Sequence, residues 1–422
     1  MMMSLSQVLK GQSNFWNIFG LKSIHNVHAI QLPLVSDQKL KIAIVTETWP
    51  PELNGVAQSL MHLCQGLQQK GHQILLIRPE QSHTTEQFIP DQQCLVAAQR
   101  LPKYPNLSFG MPQYRKVRQA IKTFQPDIIH VVTEGPLGLL GLQLAHLERI
   151  PLSSGFHSPF DEFSRFFDLA FLVKPIQHYL RWFHNQTQLT CVPSPHTADA
   201  LRQYGVQCPL AVVGRGVDSQ HFSPTFRSDA LRQSWQADEQ TTVMLSVGRL
   251  SPEKQIDDVI AAYIAQKQQG VEHLKLVIVG DGPDRARLEK LAELHDVIFT
   301  GALRGKKLAE AYASADVFVF PSQVETFGNV VLEAMASGLP VVAYDYACAH
   351  QYLEHTVTGW KIPLQQPKLF QQQLAQFPSL KQLHAMGRRA HLAVQHVGWA
   401  HPVRQFEQAL QGVVQRFHYG FT

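Results

Sequence analysis

The chain of 422 residues is too long for one ordinary core and predicts two domains of Rossmann size. Hydrophobic residues make up 45% and charged residues 17%, which excludes a disordered chain. A formal charge of +4 is too slight to argue for a nucleic-acid partner; it fits a local phosphate-binding cluster or an enzyme resting on an anionic lipid surface.

The cysteines Cys64, Cys94, Cys191, Cys208 and Cys348 are scattered, odd in number and never spaced as a CxxC pair. They predict buried thiols in a reducing, cytoplasmic compartment and no zinc or disulfide framework. No run is long and apolar enough to span a bilayer. Residues 1–39 read as a loose extension: Phe15-Trp16-Asn17-Ile18-Phe19-Gly20 is short and lacks the basic start and apolar block of a secretory signal.

Order begins at Leu40. Lys41–Thr46 is a β-rich apolar run, followed by a Pro50-Pro51 stop, an Asn54-Gly55 loop and helical spacing over Val56–Gln69. Further strands are predicted at His72–Ile77, Asp127–Thr133, Leu152–Phe156, Leu189–Val192 and Leu210–Val213. A linker with Gly214, Gly216 and Pro224 spans 214–225. A second series has strands at Val243–Val247, Leu274–Val279, Val297–Phe299, Val317–Phe320 and Pro340–Ala343. Helices lie between them at Ile256–Gln268, Asp284–Leu294, Lys307–Ser314 and Asn329–Ser337, and His401–Phe417 reads as a terminal amphipathic helix. The alternation predicts an α/β protein of two doubly wound parallel sheets, covering 40–213 and 226–400. Ligands of such sheets bind beyond the carboxyl ends of the strands.

Four motifs lie there. In the first, from Pro321 to Val342, Glu325 sits in a loop and Glu333 inside a helix among Val330, Val331, Leu332, Ala334 and Met335. The amides of Phe327, Gly328 and Asn329 start that helix and suit a phosphate. A carboxylate would repel phosphate, so the two glutamates are read as acceptors for sugar and ribose hydroxyls. In the second, Val247-Gly248-Arg249-Leu250-Ser251-Pro252-Glu253-Lys254, two cations follow a strand end and can neutralise a diphosphate leaving group. The third is Gly155-Phe156-His157, a strand-ending histidine in the other half that could face the same cleft; alone, among 21 histidines, it reads first as a structural histidine. The fourth is Pro50-Pro51-Glu52-Leu53-Asn54-Gly55-Val56, where Gly55 permits close backbone approach, although an ordinary loop glycine has the same appearance. Glu134, in Thr133-Glu134-Gly135-Pro136-Leu137-Gly138, reads either as an acceptor contact, with Asn54, or as a helix-start charge.

Val279-Gly280-Asp281-Gly282-Pro283 resembles half a dinucleotide fingerprint, but Arg285 replaces the third glycine, so no NAD is expected. No Asp-x-Asp triplet appears, and neither metal nor cofactor is predicted. Phe160–Trp182 mixes Phe163, Phe166, Phe167, Phe171 and Trp182 with Arg165, Lys174 and Arg181. It suits a helix pair on a membrane or lipid acceptor and a core-facing aromatic stripe equally well.

Together, Glu325-x7-Glu333, Gly248-Arg249 with Lys254, His157, Asn54-Gly55-Val56 and Val213-Gly214-Arg215-Gly216-Val217-Asp218 resemble family-four retaining glycosyltransferases of GT-B fold. Within that family, Glu47 to Val56 and Thr133 to Gly138 look most like GDP-mannose-dependent α-mannosyltransferases and bacterial glycolipid glycosyltransferases. The resemblance implies a nucleotide-sugar donor, GDP-mannose or a UDP-hexose, and a lipid-linked or glycan acceptor. The aromatic-basic stretch and the mild positive charge lean toward the lipid-linked acceptor and toward peripheral contact with the inner face of the cytoplasmic membrane. Arg249 and Lys254 would bind diphosphate, Glu325 the donor sugar, Glu333 the ribose, Gly55 the phosphate and His157 the sugar near the reacting carbon. The terminal helix, 401–422, would cross back onto the first domain. The family often has a Gly-Gly pair and a Glu after Asp345; here the run is Tyr346-Ala347-Cys348-Ala349-His350. A nucleotide-sugar epimerase or phosphorylase on the same architecture, and an inactive sugar-nucleotide-binding protein, are the competing readings.

Overall fold

The computed structural model describes residues 38–52, 54–81, 88–101, 104–157 and 173–420. Most of the 1–39 extension and the aromatic stretch up to Phe171 therefore lie outside the described residues.

The first lobe contains β1 (Lys41–Val45), α1 (Gly55–Gln69), β2 (Gln73–Pro79), β3 (Gln92–Val96), β4 (Ala98–Leu101), β5 (Tyr104–Gly110), α2 (Tyr114–Phe124), β6 (Ile128–Val131), α3 (Pro136–Glu148), β7 (Leu152–Gly155), α4 (Val173–Asn185), β8 (Leu189–Val192), α5 (Pro195–Gln203) and β9 (Leu210–Val212). The second contains α6 (Asp229–Ser234), β10 (Thr242–Val247), α7 (Ile256–Gln268), β11 (Leu274–Val279), α8 (Arg285–Leu291), β12 (Val297–Gly301), α9 (Gly305–Ser314), β13 (Val317–Phe320), α10 (Asn329–Ala336), β14 (Val341–Tyr344), α11 (Ala347–Tyr352), β15 (Gly359–Ile362), α12 (Pro367–Leu374) and α13 (Leu380–Val394). The last helix is α14 (Ala400–Tyr419).

The first sheet runs β3-β2-β1-β6-β7-β8-β9 and the second β12-β11-β10-β13-β14-β15, with every pairing parallel. Each chain path winds outward from a central strand and then restarts on its other side. This creates a switch point between β1 and β6 and another between β10 and β13, where open α/β sheets bind ligands. The strands are apolar on both faces because helices cover both: Ile42, Ala43, Ile44 and Val45 are all buried. Strand β3, the antiparallel β4–β5 hairpin and β15 were not predicted. β3 is a polar edge strand, Gln-Gln-Cys-Leu-Val, whose pairing with β2 supplies what its own apolar content does not.

Helix α14 returns to the first lobe. It lies against α1, where Gly66 leaves room for Val403: an added Cβ would come 2.3 Å from that side chain. The contact is pinned by Glu407, which accepts from Lys70 and, at 3.0 Å, from His72 Nε2. His72 Nδ1 accepts from Leu40 N–H at 3.0 Å, so its proton sits on Nε2 and faces the carboxylate. Glu407→Ala strands a buried imidazole N–H. We expect a loss of about 1–3 kcal/mol in denaturant unfolding, with the donor affinity of the folded fraction unchanged.

Candidate active site

The loops at both switch points converge from the two lobes. The β10 loop begins at Gly248 and is drawn tight by the β11 loop. Gly280 adopts φ +149°, and an added Cβ there would lie 1.8 Å from Gly248 O. Leu250 N–H donates to Asp281 O at 3.0 Å, closing the second rung. The glycines of Val279–Pro283 thus serve loop-to-loop packing. Arg249 projects from this loop, exposed, and no carboxylate lies within ion-pair distance among the described residues. Its charge reaches Glu52 of the other lobe. Burial pushes that carboxyl up, while hydrogen bonds from Thr48, Gln81 and Asn54 and the charge of Arg249 pull it back.

Lys254 sits in a single turn that Pro252 opens. Its ammonium donates to Glu325 and, at 3.3 Å, to Ser322 Oγ, which itself donates to Glu325 at 2.9 Å. Glu325 and Lys254 are both largely covered, 17% and 14% exposed at the side chain, so neither charge is left to solvent. Glu325 leads into α10, whose N-cap is Gly328 at φ +89°, a left-handed turn that glycine takes without strain. No side chain caps this helix, so its first amides keep their donors. Phe327 is buried beneath them, and its carbonyl accepts from Cys348 N–H at 2.8 Å. About one turn along, Glu333 accepts from Tyr312 Oη–H at 2.9 Å; burial raises it to about 7 against that bond. The buried Cys348 thiol is pushed well up, first by burial and then by the charges of Glu325 and Glu333, with the Leu332 backbone opposing. Ala347 takes φ +49° where the resembling family often carries glycine.

The first lobe meets this site at α1. Asn54 caps the helix, accepting from Ala57 N–H at 2.7 Å, and its amide donates to Thr48 at 2.6 Å. Gly55 faces α10: an added Cβ would stand 3.6 Å from Asn329 Nδ2, which donates to Ser59 Oγ at 3.1 Å. A second bridge forms where Thr197 Oγ1, on α5, donates to Thr326 O at 3.1 Å. The N-termini of α1 and α10, from opposite lobes, therefore adjoin, and the Glu325 loop that leads into α10 is tied through Thr326 to the start of α5.

His157 ends β7, but its ring turns toward its own lobe, with Nδ1 accepting from Arg215 Nη2 at 3.1 Å. Glu134 is also turned inward, its carboxylate 3.2 Å from His184 Nε2. The structure thus brings Lys254, Glu325, Glu333, Gly328 and Phe327 together, sets Asn329, Gly55 and Asn54 opposite them, places Arg249 at the mouth, and holds His157 and Glu134 on internal partners. Ser59, Ser322, Thr197 and Arg215 were not singled out from sequence; Ser322 and Arg215 lay inside recognised motifs without a role of their own.

Glu47, at the end of β1, is a further unread residue. Its carboxyl accepts from Leu137 N–H at 2.8 Å at the start of α3, and an added Cβ on Gly135 would lie 1.9 Å from it. Burial raises it to about 7, partly offset by that amide, with Glu134 adding repulsion. Among the described residues, no group of three or more His, Cys, Asp or Glu side chains is disposed to hold a metal ion.

Because Glu47 titrates higher folded than unfolded, the native state binds more protons between pH 4.5 and about 7. Its contribution to stability is therefore largest below pH 4.5 and declines as pH rises to about 7. Glu47→Gln keeps an acceptor for Leu137. Across that window its unfolding free energy should fall less with pH than that of the wild type, as measured by urea titration at each pH.

Residues 53–221 match Glycosyltransferase Family 4, and residues 227–392 match Glycosyl transferases group 1. The chain is 34% identical to a GDP-mannose-dependent alpha-mannosyltransferase of Mycobacterium tuberculosis, over 77% of this chain and 84% of that protein. It is 30% identical to alpha-monoglucosyldiacylglycerol synthase of Streptococcus pneumoniae, over 72% of this chain and 71% of that protein. Among solved structures, Anabaena Alr3699/HepE in complex with UDP and glucose superposes with a TM-score of 0.70 at 20% identity, covering 88% of this chain and 99% of that one. That likeness identifies the two-lobed arrangement as the GT-B fold. The chain belongs to the family-four, group 1 glycosyltransferases and is a hexosyltransferase that takes its sugar from a nucleotide-sugar donor.

Proposed function

We propose that this enzyme is a retaining mannosyltransferase that draws on GDP-mannose, with a UDP-glucose-type donor as the second choice, and glycosylates a lipid-linked acceptor on the cytoplasmic face of a membrane. The observation that carries the donor side is the Lys254–Glu325 contact beside the glycine-capped start of α10. In this reading the second lobe, 226–400, binds the nucleotide sugar. Arg249 and Lys254 take the diphosphate, with Gly55, Gly248, Phe327, Gly328 and Asn329 supplying amides or close approach. An added Cβ at Gly248 would meet nothing within 4 Å, so the space beside it is open to a ligand. Glu325 holds sugar hydroxyls and Glu333 the ribose. The names of the curated relatives support mannose first and glucose second.

The chemistry is a front-side substitution. The bond from the anomeric carbon to the diphosphate breaks as the acceptor hydroxyl enters on the same face, and the departing phosphate takes the hydroxyl proton. Arg249, Lys254 and the amides of α10 offset the charge left on the diphosphate. In this reading the first lobe, 40–213 with 401–422, takes the acceptor; the names of the curated relatives support a transferase over an epimerase, a phosphorylase or an inactive binding protein.

Its outer face supports a lipid acceptor and peripheral membrane contact. Helices α2, α3 and α4 expose Arg115, Lys116, Lys122, Arg149, Lys174 and Arg181, with Tyr114, Leu147 and Trp182 among them, and Glu148 is the acid these helices carry. Such a face suits anionic headgroups, each cation adding about 1 kcal/mol near the surface. No helix among the described residues is long and apolar enough to cross a membrane.

A thermal-shift screen over GDP-mannose, UDP-glucose and UDP-galactose should raise the melting temperature most with GDP-mannose. Lys254→Ala should keep its fold and lose about 100-fold or more in turnover of the donor so identified. Near-normal turnover would reject the assignment. Transfer that is no faster with anionic lipid vesicles than with neutral ones would reject the membrane face.

A further inference from the structure

The connection from β8 into α5 reaches across to the loop that carries Glu325. Ser194 caps α5, its side chain accepting from Thr197 N–H at 3.2 Å. The hydroxyls of Ser194 and Thr197 lie 2.9 Å apart. Both approach the Thr326 carbonyl of the second lobe, Thr197 Oγ1 at 3.1 Å and Ser194 Oγ at 3.4 Å. Each hydroxyl has one proton to give. The shorter distances assign them: Thr197 donates to Thr326 O, and Ser194 donates to Thr197 Oγ1. Ser194 thus backs the hydroxyl that crosses between the lobes.

His196, between them, reaches the other end of the same loop. Its ring packs edge-on against Tyr346, with ring centroids 6.2 Å apart. Tyr346 Oη–H donates to Ser322 O at 3.0 Å, and Ser322 Oγ donates to Glu325 at 2.9 Å. The first turn of α5 therefore brackets the segment 322–326. It touches Thr326 directly and Ser322 through one tyrosine, and Glu325 lies between the two holds.

The needs of α5 do not account for the Thr197 hydroxyl. Pro195 opens that helix and Ser194 Oγ caps it, so Thr197 gives the cap only its backbone N–H. Its hydroxyl proton is used outside its own lobe. Both residues are buried, Ser194 2% and Thr197 5% exposed, so their hydroxyls require partners. A bond to the Thr326 carbonyl fixes the plane of the peptide that leads from Glu325 toward α10.

We propose that Thr197, backed by Ser194, is a positioning residue for sugar transfer: it seats the Glu325 loop when the lobes meet, so the donor sugar is held for reaction only while the acceptor-side lobe covers it. The inference rests on the donor site given above to the Glu325 loop and the start of α10. A single neutral hydrogen bond is weak enough to break as substrates enter and leave. Arg249 and Lys254 belong to a different loop, after β10, so affinity for the diphosphate should survive loss of the contact.

The test uses the full chain with the best donor from the screen. Thr197→Val keeps the side-chain shape and the Ser194 cap and removes only the hydroxyl. It should lower kcat about tenfold, the scale of one hydrogen bond. The dissociation constant of the nucleoside diphosphate alone, read by calorimetry, should change little. Thr197→Ser keeps a hydroxyl and should restore most of the turnover. Wild-type turnover in Thr197→Val, an equal loss in Thr197→Ser, or a loss of nucleoside diphosphate affinity as large as the loss of kcat would overturn the inference. Should Thr197→Val not fold, Thr197→Ala set against Thr197→Ser makes the same comparison. Lys254→Ala judges the donor site separately. If that variant turns over normally, the donor site fails and this inference with it. If it is inactive while Thr197→Val is normal, the positioning role alone fails.

Discussion

Opposite charges held together away from water set the terms for the rest of this site. Lys254 and Glu325 are each largely covered, and each would be costly to leave alone. Their contact, with Ser322 donating to the same carboxylate, satisfies both before any donor arrives. It also resolves a conflict in the proposed chemistry. Glu325 repels the diphosphate that Lys254 attracts, and the ammonium between them screens that repulsion. The Arg249 guanidinium, exposed and without an acid within ion-pair distance among the described residues, adds attraction that no carboxylate cancels.

The fold makes this arrangement possible through backbone more than through side chains. Parallel strands bring every loop of one sheet to the same edge, and the two switch points turn the β1, β6, β10 and β13 loops toward each other. Among the described residues the hydrogen bonds between the facing loops include Asn329 to Ser59, and Thr197 and Ser194 to the Thr326 carbonyl. Single hydrogen bonds of that kind contribute on the order of 1 kcal/mol each. Such contacts are weak enough for the lobes to part for substrate and specific enough to return the Glu325 loop to one place. The firmer attachment is elsewhere, in α14, whose Glu407 and Val403 bind the chain's end to the first lobe.

Much of this was legible in the sequence, because buried parallel strands declare themselves as apolar runs and glycines mark their ends. The second sheet's first five strands and the Glu325–Glu333 helix followed from that pattern. Strand β3 and the β4–β5 hairpin did not, since an edge strand can be polar and draws its stability from a neighbour. Side-chain direction was also out of reach. Position at a strand end suggested that His157 faces the cleft, yet the ring turns to Arg215, fifty-eight residues on, a partner visible only once the chain is folded. Glu134 is the same lesson: a carboxylate beside a helix start, spent on His184.

Glu333 shows how burial and binding are joined. Inside α10, with Tyr312 as its one side-chain donor among the described residues, its carboxyl is raised to about 7 and is substantially protonated at neutral pH. A ribose in the proposed position brings two hydroxyl donors, and hydrogen bonds to a carboxylate favour its ionised form. Donor binding would then release a proton, and the cost of a buried negative charge would be met only when the ligand is there to offset it. Every ribonucleoside diphosphate carries those hydroxyls, so the proposed contact would hold the nucleotide without choosing the base. Selection between guanine and uracil must come from other side chains of the second lobe. That is why a shared Glu325-x7-Glu333 pattern is compatible with relatives named for GDP-mannose and with structural neighbours solved with UDP.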